Sequence, residues 1–205
     1  QSDIAVISIL GYDPRTYYTG RGPLESFASG LQVNPGDVAL RCNFATKGEG
    51  RIIEDRRVGR TLTTEEASVL CRAINADVKL TSVPNSSFEF LNTVAQRAVL
   101  VLRNQNGLSG EITNVDPAYG RMGKLGVAKA EFENLIQHVT PVEGYEQYEK
   151  AIHAAKLMNE FVEKSSEILD KHPLNQKRRE RGLLAANLIL ARDAGEGLPN
   201  FPPYR

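Results

Sequence analysis

Apolar and polar positions alternate between Val38 and Phe44. Val38, Leu40, Cys42 and Phe44 fall on one side of an extended chain and Ala39, Arg41 and Asn43 on the other, a period of two that predicts a strand. Lys47-Gly48-Glu49-Gly50 reads as a turn, with residues 51–56 returning as the second arm of a hairpin. The first twelve residues predict a short apolar helix with Ser2 at or before its first turn. Gly11, Pro14, Gly20, Gly22 and Pro23 then interrupt regular structure. Thr63 and Glu66 have the spacing of a capping box and predict a helix running to about Asn75. Three strand candidates follow: residues 78–83, residues 88–92 after a Pro84-Asn85 turn, and residues 96–103, the most apolar. Thr140-Pro141-Val142-Glu143 reads as a second helix start, with a cap, a proline at the first helical position and an acid at the third. Its helix should reach about Leu169, because Tyr148, Ile152, Ala155, Val162 and Leu169 form a stripe near the 3.6 period. Residues 187–190 read as a last buried strand. The order is not a strict strand–helix alternation, so it predicts a mixed β-sheet with helices packed against it, α/β or α+β in class.

Composition narrows the field. With 41% hydrophobic residues in 205, the chain can build a core and is not a disordered segment. Its 25 basic and 25 acidic residues cancel, which argues against a dedicated nucleic-acid binder while leaving room for a local basic pocket. No apolar run reaches membrane-spanning length and no secretory signal is present, so no membrane partner is expected. Cys42 and Cys71 form neither a disulfide framework nor a metal knuckle, which fits a reducing, cytoplasmic setting. The chain starts at Gln1 without an initiator methionine, and the expectation is a piece of a larger protein.

Histidine offers little: His138, His153 and His172 make no two-histidine ligand motif, and neither G-x-S-x-G nor a Walker loop occurs. Arginine is more telling. Arg56, Arg57 and Arg60 gather around Gly59 in a loop-like stretch, Arg21 lies between two glycines, and Arg97 and Arg103 bracket the most apolar run. Planar guanidinium forks suit phosphate and carboxylate oxygens, so a small, doubly charged ligand is the natural target of such a set. The Lys177-Arg178-Arg179-Glu180-Arg181 run is equally consistent with a solvated face.

Several ordered segments together resemble the archaeal-type 2,3-bisphosphoglycerate-independent phosphoglycerate mutases, whose core is alkaline phosphatase-like. They are Ser2-Asp3-x-Ala5, Leu10-Gly11-Tyr12-Asp13-Pro14, Tyr18-x-Gly20-Arg21-Gly22-Pro23-Leu24-Glu25, Pro35-Gly36-Asp37-Val38-Ala39-x-Arg41-x-Asn43-Phe44-Ala45-Thr46 and Asp55-Arg56-Arg57-x-Gly59-Arg60. Arg97-Ala98-Val99-Leu100-Val101, Asp116-Pro117, His172-Pro173-x-Asn175, Arg178-Arg179-x-x-Gly182 and Ala186-Asn187 extend the likeness along nearly the whole chain. The pattern departs at Gln96, where the family often has histidine, at Ala185, where proline is usual, and at Asp193, where a Gly-Ala-Gly is common.

The resemblance implies an enzyme of glycolysis and gluconeogenesis that interconverts 3- and 2-phosphoglycerate through a phosphoserine. Ser2 would be the nucleophile and a metal ligand, and two divalent ions (manganese, zinc or magnesium) would serve the intact enzyme, with the other ligands outside this chain. Arg21, Arg41, Asn43, Asp55, Arg57, Arg60 and Arg97 would bind substrate, Asp55 touching it or orienting the arginines. Residues 1–22 would belong to the metal-binding core, 23–184 to an inserted substrate-binding domain, and 185–205 to the re-entry into the core. The chain alone would then be incomplete and inactive, and the intact enzyme could be a homo-oligomer. Two alternatives stand beside this one: a homoserine kinase-like member of the family, and a non-catalytic module that binds a phosphometabolite.

Overall fold

The computed structural model describes residues 2–203, apart from the side chain of Ser2. Three short helices open the chain: α1 (Ser2–Ile9), α2 (Pro14–Tyr17) and α3 (Arg21–Ala28). They lead into β1 (Val38–Lys47), β2 (Ile53–Asp55), α4 (Thr64–Asp77), β3 (Ser86–Asn92) and β4 (Arg97–Asn104). A small hairpin, β5 (Tyr119–Met122) and β6 (Leu125–Ala128), precedes α5 (Glu149–Lys171), α6 (Pro173–Glu180) and β7 (Leu188–Glu196).

The main sheet is organised on β1. Strand β4 pairs along one edge, from Val38↔Leu102 to Asn43↔Arg97, and β7 along the other, from Val38↔Glu196 to Ala45↔Leu188. Strand β3 lies outside β4, and β2 pairs with the end of β1 at Thr46↔Asp55. Every pairing among the described residues is antiparallel. The architecture is therefore a sheet with packed helices, as expected, but in its α+β form with an antiparallel rather than mixed sheet.

The alternation in β1 sets the two layers. Val38, Leu40, Cys42 and Phe44 are buried in one apolar cluster with Leu70 and Ile74 of α4 and Leu157, Met158 and Phe161 of α5. Phe90 bridges this layer, its ring 5.8 Å from Phe44 and 5.5 Å from Phe161. The opposite face receives α3. Two glycines permit the close approach: a Cβ on Gly22 would stand 2.1 Å from the Ala39 carbonyl oxygen, and one on Gly195 would stand 1.9 Å from that of Thr19. Residue 22, the expected first domain boundary, falls inside α3. The segment after residue 185 supplies β7 to the sheet.

Several expectations match. Thr63 caps α4 and both arms of its capping box form, the 51–56 arm returns as β2, and Pro84-Asn85 turns with Asn85 at φ 57°. Others need correction. Residues 78–83 are not a strand: the Thr81 and Ser82 N–H groups donate to the Glu160 carboxylate and leave the ladder. Thr140-Pro141 does not start the long helix. The Thr140 carbonyl accepts from Thr113 N–H, Pro141 bridges to Ile112, and Gly144 turns the chain at φ 86°, so α5 begins only at Glu149. Gly22 and Pro23 do not break structure but sit in the first turn of α3, where N–H groups have no helical partner to lose.

Candidate functional site

The face of β1 that carries Arg41 is where charge collects. Arg41 stands directly across from Arg192 of β7. Two guanidiniums on adjacent strands repel unless anions lie near them, and three carboxylates join this group. Glu25 of α3 accepts from Arg21 Nε at 2.6 Å and lies 3.4 Å from Arg41 Nε. Asp193 Oδ2 lies 3.9 Å from Arg192 Nη1. Arg192 is further held flat over the Tyr119 ring, its Cζ 3.5 Å from the centroid. The third carboxylate, Asp3 of α1, accepts the Tyr18 hydroxyl at 2.6 Å and is close enough to raise the pKa of both Arg21 and Asp193.

These groups are buried and incompletely bonded. Side-chain exposure is 10% at Arg41, 8% at Arg192 and 3% at Asp193. Arg41 Nε, Asp3 Oδ1, Thr19 Oγ1 and both Asp193 carboxylate oxygens are buried with no hydrogen-bond partner. Buried polar atoms are normally satisfied, so a cluster of orphans marks a place prepared for a ligand. The titration shifts have matching causes. Burial pushes the Arg41 pKa down and Arg192 adds to the fall, while Glu25 opposes it. Burial raises the Asp193 carboxyl, against the pull of Arg192, Arg41 and Arg21. Burial, then the bond to Asp3, drives the Tyr18 hydroxyl far up.

Ser2 is the first residue of α1, next to Asp3, at the helix end that favours negative charge. Its side chain lies outside the described residues, so the site is drawn from its neighbours.

The other sequence candidates divide. Asn43 follows Arg41 on the same face, half a dozen ångströms along and nearly buried, and its partner across β4 is the exposed Arg97. Arg21, Arg41, Asn43 and Arg97 are thus brought to one side of the sheet. Asp55, Arg57 and Arg60 are not in that cluster. Asp55 is level with Thr46, roughly 16 Å along β1 from Arg41. Its Oδ1 accepts from the N–H groups of Arg57 and Gly59 at 2.7 and 2.8 Å, so it orders the loop. Arg57 and Arg60 project from that loop as exposed side chains. Val58, Gly59 and Arg60 all have φ between 55° and 58°; for buried, β-branched Val58 this is a strained conformation, of the kind that collects at working sites.

Some arginines are structural. Arg56 grips Asp116 with two parallel bonds of 3.1 and 2.7 Å. Arg178, from the basic run, is 1% exposed and ties α6 to Glu66, Thr61 and the Leu184 carbonyl, and so is not part of a solvated face. Arg192 is the residue the sequence reading missed. The final strand was expected to end at residue 190, but it runs on to Glu196 through a bulge; the signal was the unbroken apolar run leading straight into Arg192-Asp193.

No group of three or more His, Cys, Asp or Glu side chains could hold a metal ion among the described residues. His172 caps α6 through Nδ1, and His138 faces Asn159. A groove of about 1080 Å³ opens elsewhere, between α5, α6 and the β1–β2 turn. It contains none of the candidate residues, and its polar groups bond one another, Asp170 with Arg179 and Asn187, Ser166 with the Asn187 carbonyl. A pocket of about 430 Å³ lined by Thr19, Arg121, Ala194 and Gly195 borders the charged face. No helix among the described residues is long and apolar enough to cross a membrane.

Comparison with known proteins gives a consistent result. The family model for 2,3-bisphosphoglycerate-independent phosphoglycerate mutase matches residues 1–175. A protein of that name from Aeropyrum pernix is 48% identical over 99% of this chain and 47% of its own length. Another, from Methanopyrus kandleri, is 41% identical over 99% of this chain and 44% of its own length. The solved cofactor-independent phosphoglycerate mutase from Thermoplasma acidophilum superposes with a TM-score of 0.70 at 33% identity, over 96% of this chain and 47% of that one. The chain thus spans about half the length of the relatives it matches.

Proposed function

The chain belongs to the 2,3-bisphosphoglycerate-independent phosphoglycerate mutase family, and on that premise we propose that it carries the nucleophile and the anion-holding face of an enzyme interconverting 3- and 2-phosphoglycerate. The observation that supports this reading is the meeting of Arg21, Arg41 and Arg192 beside Asp3, one residue from Ser2. A phosphorylated hydroxy acid offers two anionic ends. The buried arginines would hold one of them by charge-assisted bonds, and the exposed Arg97, on the same side of the sheet, is available to the other.

In the forward half-reaction the Ser2 hydroxyl loses its proton as Oγ bonds to phosphorus, and the phosphorus–oxygen bond to C3 breaks, its oxygen taking a proton. The glycerate turns while held, and its C2 hydroxyl then attacks the phosphoseryl group to give 2-phosphoglycerate and free serine. The arginines serve by position and charge: they keep the glycerate from leaving between the two transfers. The two divalent ions implied by the family are not fitted by the described residues, which offer no group of three or more His, Cys, Asp or Glu side chains that could hold one.

The test uses the product of the complete reading frame. Incubated with 3-phosphoglycerate and manganese, it should form 2-phosphoglycerate, and intact-mass spectrometry should detect one added phosphoryl group. Ser2→Ala should lose both signals. Full turnover by Ser2→Ala would refute the assignment.

A further inference from the structure

Asp193 is the least expected side chain in the charged face. It occupies a bulge in β7, where Asp193 and Ala194 of β7 answer the single residue Leu40 of β1 between Arg41↔Arg192 and Ala39↔Gly195. Its φ is 55°, a conformation that favours glycine. Its N–H is fixed by Asn114 Oδ1 at 3.1 Å. The side chain is 3% exposed, yet neither carboxylate oxygen has a hydrogen-bond partner. Such an arrangement is unfavourable twice over, in backbone and in solvation, and packing alone does not call for it.

What the carboxylate does have is cationic company. Arg192 Nη1 is 3.9 Å away, and Arg41 and Arg21 both act on it electrostatically. With Glu25 and Asp3 it brings three carboxylates to three guanidiniums. The face is balanced before any ligand arrives. A bare anion entering it meets a fixed like charge. An anion that also carries a hydroxyl can donate to the unfilled Asp193 oxygens, and a site with such an unfilled acceptor discriminates against ligands that cannot fill it.

We propose that Asp193 is a specificity-determining residue, a built-in anion that disfavours an anion with no proton to donate, such as sulfate, at the Arg21–Arg41–Arg192 face and selects anionic ligands bearing a hydroxyl group. This rests on the anion-holding role proposed above. The selection follows from geometry: two unfilled acceptors, buried, within reach of the guanidiniums that would hold the anionic end.

The experiment is calorimetric titration of inorganic sulfate and of 3-phosphoglycerate into the chain and its Asp193→Asn and Asp193→Gly variants. Both substitutions remove an unbonded buried charge, and glycine also suits the positive φ, so both variants should melt no lower than the parent. Each should bind sulfate at least about tenfold more tightly, equivalent to ~1.4 kcal/mol, and the preference for 3-phosphoglycerate over sulfate should fall about fivefold or more. Titration with glycerol should show no gain. Unchanged sulfate affinity, or an unchanged ratio between the two anions, overturns the role of Asp193 and leaves the anion-holding face intact. If no form binds either anion, the role of Asp193 and the anion-holding reading fall together.

Discussion

Phe44 and Arg41 stand three residues apart on β1 and face opposite ways. Phe44 is fully buried among carbon, edge-on to Phe90, in the layer shared with α4 and α5. Arg41 is also buried, but its Nε has no hydrogen bond, and its neighbours are Glu25, Arg192 and Asp193. Burial is nearly the same on the two sides; satisfaction is not. One face of the strand is packed carbon on carbon, and the other leaves buried polar atoms without hydrogen-bond partners, as the proposed anion-holding role requires. This separates the two faces more cleanly than cavity size does, since the groove of about 1080 Å³ is lined by none of the unsatisfied groups.

The contrast makes opposite demands on substitutions. The largest expected effect is on the carbon face. Phe44→Ala should destabilise by about 3–5 kcal/mol, a fall in melting temperature on the order of 10 °C, seen by thermal or urea unfolding. Next comes the seam between the two faces. Gly195→Ala drives a Cβ into the Thr19 carbonyl and should cost about 3 kcal/mol. Its distinguishing sign is local: hydrogen exchange should speed up in residues 2–28 while α4 and α5 stay protected. Uniform loss of protection would mean that the two faces do not separate.

Arg41→Leu should change stability by less than about 1 kcal/mol, or raise it, because an imperfectly bonded buried charge is exchanged for carbon and Glu25 keeps Arg21. A loss comparable to that of Phe44→Ala would erase the distinction between the faces.

The smallest effect concerns acid. Burial raises the Glu160 carboxyl, but the Lys164 ammonium and bonds from Thr81 and Ser82 outweigh it and hold the pKa at about 2. A carboxyl depressed in the folded state contributes stability that is whole above its unfolded pKa and is lost as pH falls through the folded one. Stability should therefore decline from roughly pH 4.5 toward about pH 2, and Glu160→Gln should flatten that part of the curve. An identical curve for the variant would remove Glu160 from the account.

How much of this was legible beforehand differs between the faces. The carbon face announces itself, because alternation in β1 and a capping box are local rules that the tertiary structure obeys. The failures have local causes too. Thr140-Pro141 has the letters of a helix start, but its backbone is taken by Thr113 and Ile112, partners nearly thirty residues away. The β5–β6 hairpin is too short to show a period. On the charged face, Arg21 and Arg41 could be found by residue type and resemblance. Arg192 had only the apolar run leading into it as a signal, and the placement of Asp193 had none, because a bulge and a positive φ at a non-glycine residue leave no trace in periodicity. Asp55, Arg57 and Arg60, grouped in sequence, form their own strained loop and do not join Arg41.

One titration bears on the whole account: 3-phosphoglycerate into the parent chain and into Arg41→Leu, with melting temperatures recorded on the same samples. The charged face should bind the parent's ligand through Arg41, so affinity should fall at least about tenfold in the variant while the melting temperature holds or rises. Equal affinity in the two proteins would contradict it, and would show that the unsatisfied arginine face is not where the anion is held.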